Sequence, residues 1–315
     1  MNNVTLLFHK PWIWSFIAVL SAWVATIIFT GGLGGAGLAQ AALTFAAFSV
    51  IVGIGQMFVI TLGPGNIDLS IPATMTLSAT LALKFMNTDG ALVLPGLLIA
   101  LGVGLAVGTA NFGLIKLLKI PPIIATLSSS FLIQSTAIWS NRGLRIKPPE
   151  VLTDFTTSSV LGVPNVALLS FVLAVAAYFI LMRSLFGRWV LAIGQNMRAA
   201  RLAGVPVDGV RFSTYVLCGV LAAVAGYFLA SFSGGAALNM GTEYLLTSIA
   251  VVVIGGSSVA GGNSNVPGIW GASLFLFLVV SMLNTFGVGA GVRLIMTGLI
   301  IIAVITLAGG RKDMK

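Results

Sequence analysis

The chain has 315 residues, 58% of them hydrophobic and 7% charged, with a formal net charge of +9. A soluble domain carries about a quarter charged residues, so this composition excludes an ordinary water-solvated surface and suits lipid. In so apolar a chain the excess of Lys and Arg reads as cytoplasmic-loop and lipid-facing charge, not as a nucleic-acid footprint.

A helix needs about 20 apolar residues to cross a bilayer, which allows on the order of ten crossings here. The apolar runs are long and do not alternate, so they predict α-helices and not a β-barrel. In chain order the predicted spans are Trp12–Thr30, Ala36–Leu62, Ser70–Met86, Ala91–Ile115, Pro122–Ser140, Val166–Met182, Phe212–Ser233, Tyr244–Val259, Pro267–Phe286 and Val292–Ala308. The first run is long and lacks a small-x-small site followed by polar chain, so it reads as a retained span. The expectation is an all-α membrane protein with about ten transmembrane helices, a single domain over residues 1–315.

Of the sixteen Lys and Arg residues, Lys84, Arg142, Arg145, Lys147 and Arg293 fall on one side of this arrangement and the other eleven on the opposite side. The basic side is the inner one, which places the N-terminus and C-terminus inside.

Most connections are short, but Asn141–Asn165 and Arg183–Arg211 are longer, and the second is substantial and basic. Its core, Asn196 to Ala203, is rich in helix formers. Asn196 is a suitable N-cap, and Gly204 followed by Pro206 is a stop signal. A short surface helix carrying Arg198 and Arg201 is expected. From composition alone it is either a topology-setting basic loop or a docking element.

Catalytic chemistry finds no support. The sequence has no G-x-x-x-x-G-K-[ST] phosphate loop, and Gly31–Gly37 lacks the Lys-Ser/Thr ending. The only histidine, His9, precedes the first span without ligand partners, and the only cysteine, Cys218, lies in an apolar run. A metal centre, an intramolecular disulfide and a Ser-His-Asp arrangement are therefore not expected.

The polar groups within the spans carry more information, because burying them in lipid is costly. Asp68 lies in Gly63–Ser70 and Glu243 in Met240–Leu245, each where a helix begins. Each is either a carboxylate capping a helix N-terminus or a group lining a pathway. Their matching contexts predict an inverted repeat that pairs spans 2–5 with spans 7–10. Gly63, Pro64 and Gly65 break the backbone before Asp68. Gly255–Gly262 predicts a tight turn between closely packed helices. Gln56, Gln134 and Asn284 are candidates for a translocation path, since neutral amides can bind a polyhydroxylated solute without trapping it. Phe58 and Phe131 are aromatic candidates for stacking on a sugar ring, and Asn66 and Asp68 complete the predicted path.

Three blocks carry a resemblance to a known family. Gly187–Val205 reads GRWVLAIGQNMRAARLAGV and is similar to G-R-x-x-x-A-x-G-x-N-x-x-A-A-R-x-x-G-[IV]. Asn66–Ser70 is similar to G-I-D-L-S, and Gly255–Gly262 to G-G-x-S-x-x-G-G. These resemble the permease subunits of ribose-type ATP-binding-cassette sugar importers, from about the second span onward. Asn66 and Ser264 depart from the glycines usual at their positions. Such departures fit one member of a divergent permease pair.

The resemblance implies that residues 184–211 form a cytoplasmic coupling loop. Asn196, Ala199, Ala200, Arg201 and Gly204 would then meet a separate ATPase subunit, which binds ATP and magnesium. It also implies a periplasmic sugar-binding protein, a second permease chain as homodimer or heterodimer, a bacterial inner-membrane location and monosaccharide import by alternating access. The rival expectation is an ion-coupled secondary transporter with Asp68 as its coupling site.

Overall fold

The computed structural model describes residues 11–29, 32, 35–141 and 146–285, with scattered positions between 289 and 303. Helix α1 spans Pro11–Phe29, α2 Gly35–Thr61, α3 Ile71–Met86, α4 Val93–Leu117 and α5 Pro122–Asn141. A short helix α6 (Glu150–Thr157) and a two-stranded antiparallel hairpin, β1 (Ser159–Val160) with β2 (Val163–Pro164), lead into α7 (Asn165–Arg183). Then come α8 (Leu185–Gln195), α9 (Met197–Leu202), α10 (Val207–Phe232), α11 (Tyr244–Ile254) and α12 (Val266–Thr285).

Among the described residues, seven helices are long and apolar enough to cross a membrane, and α3 and α11 are shorter apolar helices. Helices α1–α5, α7 and α10–α12 fall on the first nine predicted spans in order. The tenth, Val292–Ala308, lies largely outside the described residues. One predicted boundary and the reading of the two long connections need correction. The eighth span stops at Ile254, because Gly255 ends α11 and Gly256 turns into positive φ (+89°). The long connections are also more ordered than a loop: α6 and the hairpin fill one, and α8 opens the other.

Helix α2 carries no charge over 27 residues and is apolar around its whole circumference. Such a helix has no water-facing side and belongs in the interior. It runs antiparallel to α10: Phe45 and Phe48 meet Phe232, while Gly55 faces the backbone of Cys218. Helix α10 in turn crosses α4 at small residues. A Cβ on Gly104 would lie 2.7 Å from Val220 Cα, and one on Gly108 would lie 2.5 Å from Val216 Cα. Two glycines four residues apart let helix backbones touch, the usual way to gain packing where lipid offers no hydrophobic drive.

Helix α10 packs on α3 and α4 as α2 packs on α11 and α12. Each long central helix is followed by a glycine break, Gly63 and Gly65 after α2 and Gly234 and Gly235 after α10, all with positive φ. A short apolar helix follows each break. Lys116, Arg201 and Asp208 meet at one end of the bundle, and Lys84 reaches Ser140 O (3.1 Å) at the other.

The α4–α10 crossing predicts a position-specific cost. Gly108→Val should destabilise the detergent-solubilised protein by about 1–3 kcal/mol through overpacking. Gly102→Val, at a position with open space, should leave the thermal midpoint near wild type. Equal midpoints for the two variants would contradict the close crossing.

Candidate coupling surface and intramembrane polar site

The segment after α7 turns sharply because Ser184 caps α8, its hydroxyl accepting from Gly187 N–H at 3.0 Å. Gly187 lies so close to the carbonyls of Ile180 and Leu181 that a side chain has no room. Asn196 closes α8 and opens α9, its Oδ1 accepting from Ala199 N–H at 2.9 Å. At the far end, Gly204 N–H donates to Arg201 O and Val205 N–H to Ala200 O, both at 3.1 Å. With Gly204 at φ +83° these paired bonds form the glycine stop of a Schellman motif. Asn196, Ala199, Arg201 and Gly204 are exposed, and Ala200 is buried beneath them. Asp208 at the start of α10 pairs with Lys116 of α4 and with Arg201 (3.5 Å), which ties α9 to the bundle.

The other end of α8 is seated mainly on backbone, with Gln195 Nε2 reaching Gly262 O at 3.5 Å. A Cβ on Gly194 would collide with Thr61 O and Gly262 N. Gly262 N–H donates to Thr61 O at 3.0 Å, and a Cβ on Gly261 would collide with Gly63. Thus α8, the α2–α3 break and the α11–α12 turn converge where only glycine fits. Ser264 adds a hydroxyl contact to Thr61. Phe58, a predicted path residue, is fully buried and packs against Phe186 in the first turn of α8 (centroids 6.1 Å apart).

The α2–α3 break closes its first residues with backbone turns, and its last three N–H groups are satisfied by side chains. Asp68 N–H donates to Gln56 Oε1 (3.2 Å) and Leu69 N–H to Thr126 Oγ1 (3.0 Å). Asp68 Oδ1 accepts from Ser70 N–H (2.8 Å), from Ser70 Oγ (2.6 Å) and from Asn111 Nδ2 (3.5 Å). Asn111 Nδ2 also reaches Ser70 Oγ (2.8 Å), and Ser129 donates to Asn111 Oδ1. Asn66 donates to Gly63 O (3.2 Å) and accepts from Tyr215 OH (3.2 Å). Both departures from the family glycines, Asn66 and Ser264, therefore sit in bonds across this junction.

The structure brings together Gln56, Asn66 and Asp68, all buried, with Phe58 close by. It places the other predicted path residues apart. Phe131 is 67% exposed on α5. Gln134 donates to Leu238 O (2.7 Å), and Asn284 is exposed on α12. Glu243 precedes α11 and makes no side-chain cap. Sequence reasoning missed Asn111, Thr126 and Tyr215. Asn111 was detectable, since it is a lone amide in an apolar run, the same signal that singled out Gln56.

Residues 38–305 match the family described as the branched-chain amino acid transport system / permease component. The chain belongs to this family. The permease is 32% identical to a probable ABC transporter permease protein of Sinorhizobium fredii, over 81% of this chain and 77% of that one. It is 30% identical to the autoinducer 2 import system permease protein LsrD of Photorhabdus laumondii, over 76% and 74% of the two chains. It is 28% identical to the ribose import permease protein RbsC of Escherichia coli K12, over 81% and 80%. No solved structure matches it.

The permease's α8–α9 segment thus has two different anchors, a cap at Asn196 and a glycine seat at Gly194. Asn196→Ala should cost about 1 kcal/mol locally and speed amide exchange across 197–203, with the bundle unaffected. Gly194→Ala should unseat α8 and expose residues 61–65 and 255–262 to exchange as well. An exchange pattern for Gly194→Ala confined to α8 would argue against the three-way junction.

Proposed function

We propose that the chain is the membrane permease subunit of an ATP-driven importer that moves a monosaccharide or similar small polyol into the cytoplasm by alternating access. The observation that carries this reading is the α8–α9 segment. It is a capped, exposed helix bearing Arg198 and Arg201, standing on a glycine seat at the basic end of the bundle. Docked on a motor subunit, it would pass force directly into the α2–α3 break. The relatives whose names state a cargo import ribose and autoinducer 2, which favours a polyhydroxylated solute over the amino acid in the family's description.

ATP hydrolysis then resides in a separate cytoplasmic subunit, and a periplasmic binding protein supplies the cargo. Two permease chains line the pore in the inner membrane, with both termini inside. The paired breaks after α2 and α10, and the matching neighbours of these helices, support an inverted repeat of spans 2–5 and 7–10. Arg201 and Gly204 face the motor, and Ala199 and Ala200 let it approach closely. The exposed face of α5 with Phe131, together with Gln134 and Asn284, borders the path. Gln56, Phe58, Asn66 and Asp68 stand behind that surface and hold its shape. Family membership supports the ATP-driven reading over an ion-coupled one.

Reconstitution tests this. Permease in liposomes with its ATPase and binding protein should import a sugar bound by that protein only when ATP is supplied inside. Gly204→Leu should abolish stimulated hydrolysis while leaving membrane insertion intact. Uptake driven by an ion gradient without the ATPase, or full stimulation in Gly204→Leu, would overturn the assignment.

A further inference from the structure

Residues 61–70 are gripped from two sides. On the α8 side, Thr61 O accepts from Gly262 N–H at 3.0 Å, and Gly194 and Gly261 press on the same stretch with no space for a Cβ. On the α5 side there are two grips. Thr126 Oγ1 accepts from Leu69 N–H at 3.0 Å, and its own proton lies between Pro122 O (2.9 Å) and Ile67 O (3.2 Å). One turn later Ser129 donates to Asn111 Oδ1, and Asn111 Nδ2 donates to Ser70 Oγ at 2.8 Å.

Thr126 and Ser129 are three residues apart, so they share one face of α5. The opposite face carries Ile124, Leu127, Phe131 and Ile138, all exposed. Asn111 itself is fully buried on α4. A short unwound stretch is thus fixed to the coupling segment at one end and to the back of an outward-facing helix at the other. Gln56 Nε2 is buried at this same break without a hydrogen-bond partner. Unpaired buried polar groups are costly, and a rearrangement that pairs them is favoured. That is the property expected of an element with two arrangements.

We propose that residues 61–70 form a link that carries displacement of α8 onto α5, with Thr126 and Asn111 as its two grips. Both are positioning residues; they act on the path through α5 and do not touch cargo. The proposal rests on the importer reading and adds the route by which the motor's movement reaches the path wall.

The test uses the assembled complex of permease, ATPase and binding protein in liposomes, with ATP hydrolysed per sugar imported as the readout. Asn111→Leu and Thr126→Val keep side-chain shape and remove the hydrogen bonds. Each should raise the ATP cost per sugar by about 3-fold or more, the scale of coupling changes along linked networks. Hydrolysis stimulated by the binding protein should stay within about 2-fold of wild type, and Thr126→Ser should restore the wild-type ratio. A merely structural role lowers uptake and hydrolysis together and leaves the ratio unchanged, and that result overturns the proposal. A wild-type complex without ATP-driven uptake would instead overturn the importer reading and this proposal with it. Variants are compared per assembled complex, so reduced yield does not affect the ratio.

Discussion

Backbone that leaves the helix inside a membrane must find every hydrogen bond within the protein. The stretch between α2 and α3 meets this constraint with local backbone turns at Leu62, Gly63 and Asn66, and from there on with side chains and one neighbouring turn. Gln56, Thr126 and Asp68 accept its N–H groups, while Asn66, Thr126 and Gly262 donate to its carbonyls. These partners come from α2, the break itself, α5 and the α11–α12 turn. The break therefore recruits several elements at once, and the arrangement of the central helices follows from where those partners must stand.

The glycines serve the same constraint in a different way. Gly194 and Gly261 are required because backbones meet there without intervening side chains, and Gly262 lies against the side chain and backbone of Gln195. A contact between backbones has no rotamers to absorb a shift, so a displacement of α8 would be passed on with little loss. The opposite design appears at Asp208, where long side chains from Lys116 and Arg201 meet a carboxylate at the exposed end of the bundle. Exposed pairs of this kind contribute little to stability. They orient α9, and the glycine seat fixes α8.

The spans were legible because lipid leaves a one-dimensional trace: long apolar runs broken by Gly and Pro. Helix α9 was legible too, since Asn196 and Gly204 act through local capping that depends only on neighbours in sequence. Helix α8 was not. Its apolar residues read as the tail of a loop until α7, α2 and the α11–α12 turn supply surfaces for them. The end of α11 was overrun for a related reason, because Gly255 packs against the backbone of Gly268 and Gly256 turns into positive φ, which sequence alone does not reveal.

The polar site shows the same divide between local and long-range information. Gln56 and Asp68 stood out as expensive groups in apolar surroundings, but cost alone does not say what a group binds. Lining a path and satisfying a broken backbone demand the same residue types. The structure assigns Gln56, Asn66 and Asp68 hydrogen bonds to the break, and it sets Phe131 on an exposed face of α5 one turn from Leu127. Phe131 and Asp68 are thus on opposite sides of one helix, joined through Asn111 and Ser129. An amide on α4 is the only kind of side chain that could serve there, because it must accept from Ser129 and donate to Ser70 and Asp68 together. An aspartate in its place would lose the donor and set a second carboxylate beside Asp68, and a leucine would lose both bonds.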